Sequence, residues 1–194
     1  SPLHGGSFLK LVILDRDGTI NADSDDFVKT ADEWLPLPGS LEAIAKLNHA
    51  GWHVVVVSNQ SGLGRGLFDV ASLNAMHAKM HKLLAAHGGR IDAVFYCPHS
   101  PDEACNCRKP LPGLFEQVGE RYGVDLKDVP CVGDSLRDVQ AGAAVGCEPH
   151  LVLTGKGAQY RGLPLPGTFP PGTAVHDSLA AFADALLARP AVPK

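Results

Sequence analysis

The chain has 194 residues, of which 45% are hydrophobic and 20% charged, with a net charge of −4 and five cysteines. That size and balance suit one domain spanning residues 1–194 with an ordinary core, and they exclude a disordered or collagen-like chain. No basic cluster offers a footprint for nucleic acid, and no apolar run approaches the roughly 18 residues a membrane span requires. Ser1–Ser7 carries no apolar signal segment, so the expected setting is the cytoplasm, with neither nucleic acid nor membrane as partner.

Phe8–Leu14 predicts the first strand, and its apolar end, Leu11-Val12-Ile13-Leu14, runs into Asp15-Arg16-Asp17-Gly18-Thr19. Alternation along an extended chain points Asp15 and Asp17 to the same side. Two carboxylates so close repel each other unless they share a cation or a proton. The loop from Ile20 to Pro38 predicts a small flap rather than a cap domain. Pro38-Gly39-Ser40 opens a helix through Leu41, Ile44, Ala45 and Leu47 that stops at Gly51. His53–Ser58 contains Val54 to Val57 in unbroken succession, the mark of a strand covered on both faces. Asp69 caps a helix carrying Leu73, Met76, Met80, Leu83 and Leu84, and Gly88-Gly89 ends it. Ile91–Tyr96 is a third strand, followed by an irregular loop to Pro112. Gly113–Tyr122 reads as helix, Val129–Val132 as strand, Ser135–Val145 as helix and His150–Leu153 as strand. A Gly/Pro-rich loop from Gly155 to Gly172 precedes Ala174-Val175 and a helix capped by Asp177. Repeated strand–helix units predict an α/β fold with a doubly wound parallel sheet. In such a sheet, ligands bind at the carboxyl ends of the strands.

Three further strand ends carry polar groups: Ser58-Asn59-Gln60-Ser61-Gly62, Arg108-Lys109-Pro110, and Gly133-Asp134-Ser135 with Asp138 one helical turn beyond. Taken singly they are a turn former, a solvated basic pair and, at Asp134, a helix N-cap. The loop before Arg108 holds Cys97-Pro98-His99, five further residues, then Cys105-Asn106-Cys107. Three thiolates and an imidazole have the composition of a closed tetrahedral zinc site, against the alternative of a disulfide or free thiols. Such a zinc would be structural, folding loop 97–109 and aiming Arg108-Lys109. Cys131 and Cys147 read as core residues, and His77 and His81 as surface or packing residues.

Taken together, the Asp pair, the hydroxyl, the lysine and the last acid resemble the four motifs of the haloacid dehalogenase superfamily, from about Leu11 to Thr154. The resemblance implies a capless phosphatase fold and hydrolysis of a phosphate monoester. It makes Asp15 the nucleophile, and Asp17 the acid that protonates the leaving oxygen and then activates water. It assigns Mg²⁺ to the carboxylates of Asp15 and Asp134 and the backbone carbonyl of Asp17, and the phosphoryl oxygens to Ser58 and Lys109. Asp138 would orient Lys109 or the water around the metal. Within the superfamily, D-R-D-G-T with C-P-H…C-x-C-R-K-P is similar to a small branch that contains the histidinol-phosphate phosphatases and the heptose-bisphosphate phosphatases.

The heptose group is favoured by Asp17-Gly18-Thr19-Ile20-Asn21, by Ser61 with Gly64-Arg65-Gly66, by Pro112-Gly113 and by Thr154-Gly155-Lys156. The short gap between His99 and Cys105 points the other way, and Ser58 stands where Thr is common. The implied substrate is D-glycero-D-manno-heptose 1,7-bisphosphate, as the β anomer, losing its C7 phosphate in lipopolysaccharide-core biosynthesis. Histidinol phosphate is the alternative. Substrate contacts are expected from Arg16, from Asp23-Ser24-Asp25-Asp26, from Ser58 to Ser61 (with Asn59 and Gln60), and from Arg65, Arg108 and Ser135, with Arg137 as a further cation. The enzyme is expected to act as a monomer.

Overall fold

In the computed structural model, which describes residues 9–190, six strands form one sheet. They are β1 (Leu11–Leu14), β2 (His53–Asn59), β3 (Ala93–Cys97), β4 (Pro130–Gly133), β5 (Glu148–Val152) and β6 (Ala174–His176). Every neighbouring pair is parallel, in the order β3-β2-β1-β4-β5-β6. The helices are α1 (Ser40–His49), α2 (Ser61–Gly64), α3 (Val70–Ala86), α4 (Gly113–Tyr122), α5 (Leu136–Ala143) and α6 (Leu179–Leu187). The predicted doubly wound α/β sheet is therefore present. The start of the first strand, at Phe8, lies outside the described residues.

Strand alternation divides the core in two. Val12, Leu14, Val54 and Val56 face one layer with Leu47 of α1, Met76 and Met80 of α3, and Phe182 of α6. Leu11, Ile13, Val55 and Val57 face the other layer with Leu114, Phe115 and Val118 of α4 and Ala141 of α5. A run of valines satisfies both layers at once, which is why the segment shows no polar alternation.

Chain order reverses direction at β1: β2 and β3 lie on one side, β4 to β6 on the other. The carboxyl ends of β1 and β4 thus flank the crevice where open parallel sheets bind ligands. The flap between β1 and α1 is stapled at its base by Ala22 N–H to Leu35 O and Leu37 N–H to Ile20 O, each 2.9 Å. Its Trp34 is fully buried beside Ile20 and Val28. The tip, from Ala22 to Asp26, is exposed throughout.

Local details depart from expectation in three places. Ser178 rather than Asp177 caps the last helix, its hydroxyl accepting from Ala181 N–H. Ser135 rather than Asp134 is the N-cap of α5. The Gly/Pro-rich loop includes a 3-10 helix, Gly155–Tyr160, that returns to the carboxyl edge of the sheet. No helix among the described residues is long and apolar enough to cross a membrane.

Candidate active site

Asp15, Lys109 and Asp138 meet at the floor of a cavity of about 200 Å³ above the carboxyl ends of β1 and β4. Lys109 is buried and spends all three of its protons: on Asp15 Oδ1 at 2.8 Å, Asp138 Oδ1 at 2.7 Å and the carbonyl of Val57 at 2.9 Å. Burial alone would push this lysine's pKa down, but the charges of Asp138 and Asp15 hold it above its usual value. Asn59 fixes its backbone in both directions, Oδ1 accepting from Lys109 N–H at 2.9 Å and Nδ2 donating to Lys109 O at 3.2 Å. Asp138 also accepts from the N–H and hydroxyl of Ser135, at 3.1 and 2.9 Å, which ties the lysine to the first turn of α5.

Asp134 and Asp15 have no comparable supply of donors. Burial first, then the charges of Asp15 and Asp138, push Asp134 up to about 10, although Lys156 N–H donates to its Oδ2 at 2.9 Å. Burial, then Asp138, raises Asp15 to about 7 despite Lys109. Carboxylate oxygens of Asp15, Asp134 and Asp138 all lie within 4.8 Å of one another. Such a group calls for a divalent cation with oxygen ligands. With Asp138 committed to Lys109 and Ser135, the oxygens left for it are on Asp15 and Asp134. The backbone closes tightly here: Gly18 has φ +84°, and a Cβ on it would lie 2.0 Å from Asp134 Oδ2.

Asp17 is arranged in the opposite sense. Its Oδ1 accepts from Arg16 Nε at 3.0 Å, Arg16 Nη2 at 2.6 Å and Asn21 Nδ2 at 2.9 Å; its Oδ2 accepts only from Gln60 Nε2, at 2.9 Å. Burial pushes its pKa up, but Arg16's charge and these hydrogen bonds hold it below the usual carboxylate value. The ionised form is a base, and it must take up a proton before it can serve as an acid.

The expected site residues divide into two groups. Asp15, Asp17, Asp23, Ser24, Asp25, Asn59 and Ser61 line the cavity, as do Arg108, Lys109, Asp134 and Ser135. Arg16, Asp26, Ser58, Gln60 and Arg65 do not. Arg16 is wholly buried against Asp17, so its expected contact with substrate becomes a contact with that carboxylate. Ser58 is buried, with Oγ 2.7 Å from Gln60 Nε2 and 3.4 Å from Asn59 O, behind the wall that Ser61 faces. Arg65 lies 5.6 Å over the ring of Phe27, on the flap.

Three participants were missed from sequence: Phe27 and Lys156, which line the cavity, and His77, whose Nε2 lies 3.1 Å from Arg16 Nη1. Thr154-Gly155-Lys156 follows a predicted strand, and its position at a carboxyl end was the available signal. Arg137 also lines the cavity. Arg108 adds a buried Nε with no hydrogen-bond partner among the described residues.

Beside this cleft, Cys97, His99, Cys105 and Cys107 gather. Cys97 Sγ is 3.8 Å from Cys105 Sγ, 2.7 Å from Cys107 Sγ and 3.3 Å from His99 Nδ1. Their four ligand atoms lie within 4.8 Å of one another, and the cysteines are unpaired. Tetrahedral zinc with bonds of about 2.3 Å separates sulfurs by about 3.8 Å, the spacing of Cys97 and Cys105 but not of Cys97 and Cys107, which would have to part. The set has the chemistry of a structural zinc site.

Comparison with known proteins sharpens this picture. A family model described as polynucleotide kinase 3 phosphatase matches residues 10–143, and one described as HAD-hydrolase-like matches residues 106–182. The chain is 59% identical to the D-glycero-beta-D-manno-heptose-1,7-bisphosphate 7-phosphatase of Bordetella bronchiseptica, over 92% of this chain and 98% of that protein. It is 56% identical to the protein of the same name from Pseudomonas aeruginosa, over 91% and 97%. The crystal structure of the D,D-heptose 1,7-bisphosphate phosphatase from B. bronchiseptica, complexed with magnesium and phosphate, matches with a TM-score of 0.89, covering 92% of this chain and 98% of that one.

Proposed function

The chain belongs to the haloacid dehalogenase-like phosphatases, in the family of the D-glycero-β-D-manno-heptose-1,7-bisphosphate 7-phosphatases, and we propose that it removes the C7 phosphate of that sugar to leave the 1-phosphate. The alternative substrate, histidinol phosphate, is not favoured, because the relatives at 59% and 56% identity carry the heptose name. The observation that carries the reading is Asp15 held 2.8 Å from Lys109 at the floor of a cavity that Asp17 and Arg108 also line.

Asp15 attacks the phosphorus, and the bond from phosphorus to the C7 oxygen breaks. Asp17, entering this step protonated, gives its proton to the leaving oxygen, which yields an aspartyl-phosphate and the sugar alcohol. Asp17 then takes a proton from water, whose oxygen attacks the phosphorus, releasing inorganic phosphate and restoring the Asp15 carboxylate. Mg²⁺, held by Asp15, Asp134 and the backbone carbonyl of Asp17, supplies the charge that lets an anionic phosphate approach an anionic nucleophile. Lys109 trades part of its bond to Asp15 for a phosphoryl oxygen as charge builds there. At motif two, Ser61 rather than the buried Ser58 presents its hydroxyl to the phosphate, while Asn59, which also lines the cavity, is tied to the backbone of Lys109. Arg108, with its unpartnered Nε, meets the distal groups of the sugar. Zinc on Cys97, His99, Cys105 and Cys107 holds the loop that delivers Arg108 and Lys109. These groups act in a single cytoplasmic domain.

The test is Mg²⁺-dependent phosphate release from the two heptose bisphosphate anomers and from histidinol phosphate. The expected result is preference for the β-bisphosphate, with the 1-phosphate as product. Preference for histidinol phosphate would overturn the assignment.

A further inference from the structure

The carboxylate of Asp17 is held by a residue that is itself held. The carbonyl of Arg16 accepts from the backbone N–H groups of Thr19, Ile20 and Asn21, at 3.2, 2.8 and 3.3 Å, so its backbone cannot turn. The freedom left to Arg16 is in its side chain, which is wholly buried. Two edges of the guanidinium are occupied: Nε and Nη2 donate to Asp17 Oδ1, and Nη1 faces His77 Nε2 at 3.1 Å. An arginine can only donate, so Nε2 of His77 is the acceptor in this contact. His77 comes from α3, 61 positions away in sequence, and is buried beneath the flap side of the sheet.

We propose that His77 is a positioning residue for the acid/base step. By anchoring Nη1 it sets the guanidinium so that both remaining donors, Nε and Nη2, fall on Oδ1 of Asp17. Three donors then fill Oδ1, and Oδ2, with the single donor Gln60, is the oxygen with a lone pair left to exchange a proton. This inference rests on Asp17 serving as the acid and base of the proposed reaction. Without His77 the guanidinium can rotate away, the two carboxylate oxygens become alternatives, and the leaving oxygen meets the wrong one part of the time. An angular error of this kind weakens proton transfer without weakening substrate binding.

The test compares leaving groups in single turnover, following release of the alcohol from heptose 1,7-bisphosphate and of the phenol from p-nitrophenyl phosphate. A nitrophenolate departs without needing a proton, whereas a sugar alkoxide needs one. His77→Ala is expected to slow alcohol release by about ten- to a hundred-fold while changing phenol release by less than about two-fold and leaving KM unchanged. His77→Gln, whose side-chain oxygen can still accept from Arg16, should restore most of the lost rate. It also serves as the test if the alanine variant does not fold. Equal loss on both substrates, or a well-folded glutamine variant no better than alanine, would overturn the proposal. Absence of alcohol release from the wild type would instead overturn the assignment of the reaction.

Discussion

Asp15, the proposed nucleophile, carries a cost in stability as well. Burial and neighbouring acids raise its pKa to about 7, so its charge is unfavourable until a cation arrives. Asp15→Asn is therefore expected to abolish turnover while leaving the metal-free melting temperature unchanged or higher, which activity assays and calorimetry in EDTA would check. A melting temperature lowered by several degrees would contradict this account of the site. Arg108 works at the other end of the cavity. Arg108→Ala should raise KM for the bisphosphate roughly ten-fold or more, the loss expected for a charge-assisted contact of about 1.5–3 kcal/mol. A small aryl phosphate, too short to reach Arg108, should be affected much less. Gly18 is constrained by both conformation and space, with φ +84° and Asp134 Oδ2 2.0 Å from where a Cβ would stand. Gly18→Ala is expected to displace Asp134 and raise the Mg²⁺ concentration needed for half-maximal activity, at a cost of about 1–3 kcal/mol in stability by denaturant unfolding.

At the scale of elements, the loop between β3 and α4 shows how little apolar material fixes Lys109. Cys97 ends β3, and Cys107 stands two residues before Lys109. The four side chains of the proposed zinc site thus join a strand to the segment that carries Lys109 into the cavity. Cys107→Ser is expected to lose its zinc by elemental analysis, lower the melting temperature and reduce kcat by displacing Lys109. Added Mg²⁺ should not repair it. Stripping Mg²⁺ from the wild type with EDTA should stop turnover reversibly while zinc remains bound, because a closed thiolate site holds its ion far more tightly than an open carboxylate site. An enzyme that retains full kcat after losing its zinc would separate the loop from catalysis. The α5 terminus makes the same link differently: its capping box uses Asp138, so the group that starts the helix also anchors Lys109.

At the scale of the molecule, three buried or half-buried histidines among the described residues are held neutral. Burial pushes His77 and His176 down to about 4, and lowers His150 as well. His150 and His176 join β5 to β6, with ring nitrogens 2.9 Å apart, and both pack on Phe182 of α6. Each folded pKa lies below the unfolded value near 6.5. At these histidines the unfolded chain therefore binds more protons from about pH 6.5 down to about 4, and the stability they contribute is lost as pH drops through that window. Asp15 and Asp134, with raised values, act in the opposite sense. Between pH 7.5 and pH 5 the melting temperature of His176→Gln should gain on that of the wild type. An identical pH profile in that variant would show that the β6 edge plays no part.

The chemical inventory was legible in the linear chain for a physical reason. In a parallel sheet covered on both faces, strands must be apolar throughout, so the first polar residues after each one mark a carboxyl end. Asp15, Ser58 and Asp134 were found by that rule, Lys109 by the resemblance to the four motifs, and the cysteines and histidine of the zinc loop by composition and spacing. Side-chain direction at those ends was not legible, because it depends on contacts between segments distant in sequence. Only the tertiary structure turns Arg16 and Gln60 onto Asp17, buries Ser58 behind Ser61, and folds the loop of Lys156 back onto Asp134. His77 shows the limit most plainly: it is one polar residue on an otherwise ordinary amphipathic helix, and its partner lies 61 positions away. Local pattern tells a helix which face to bury, but it carries no record of what that face will meet.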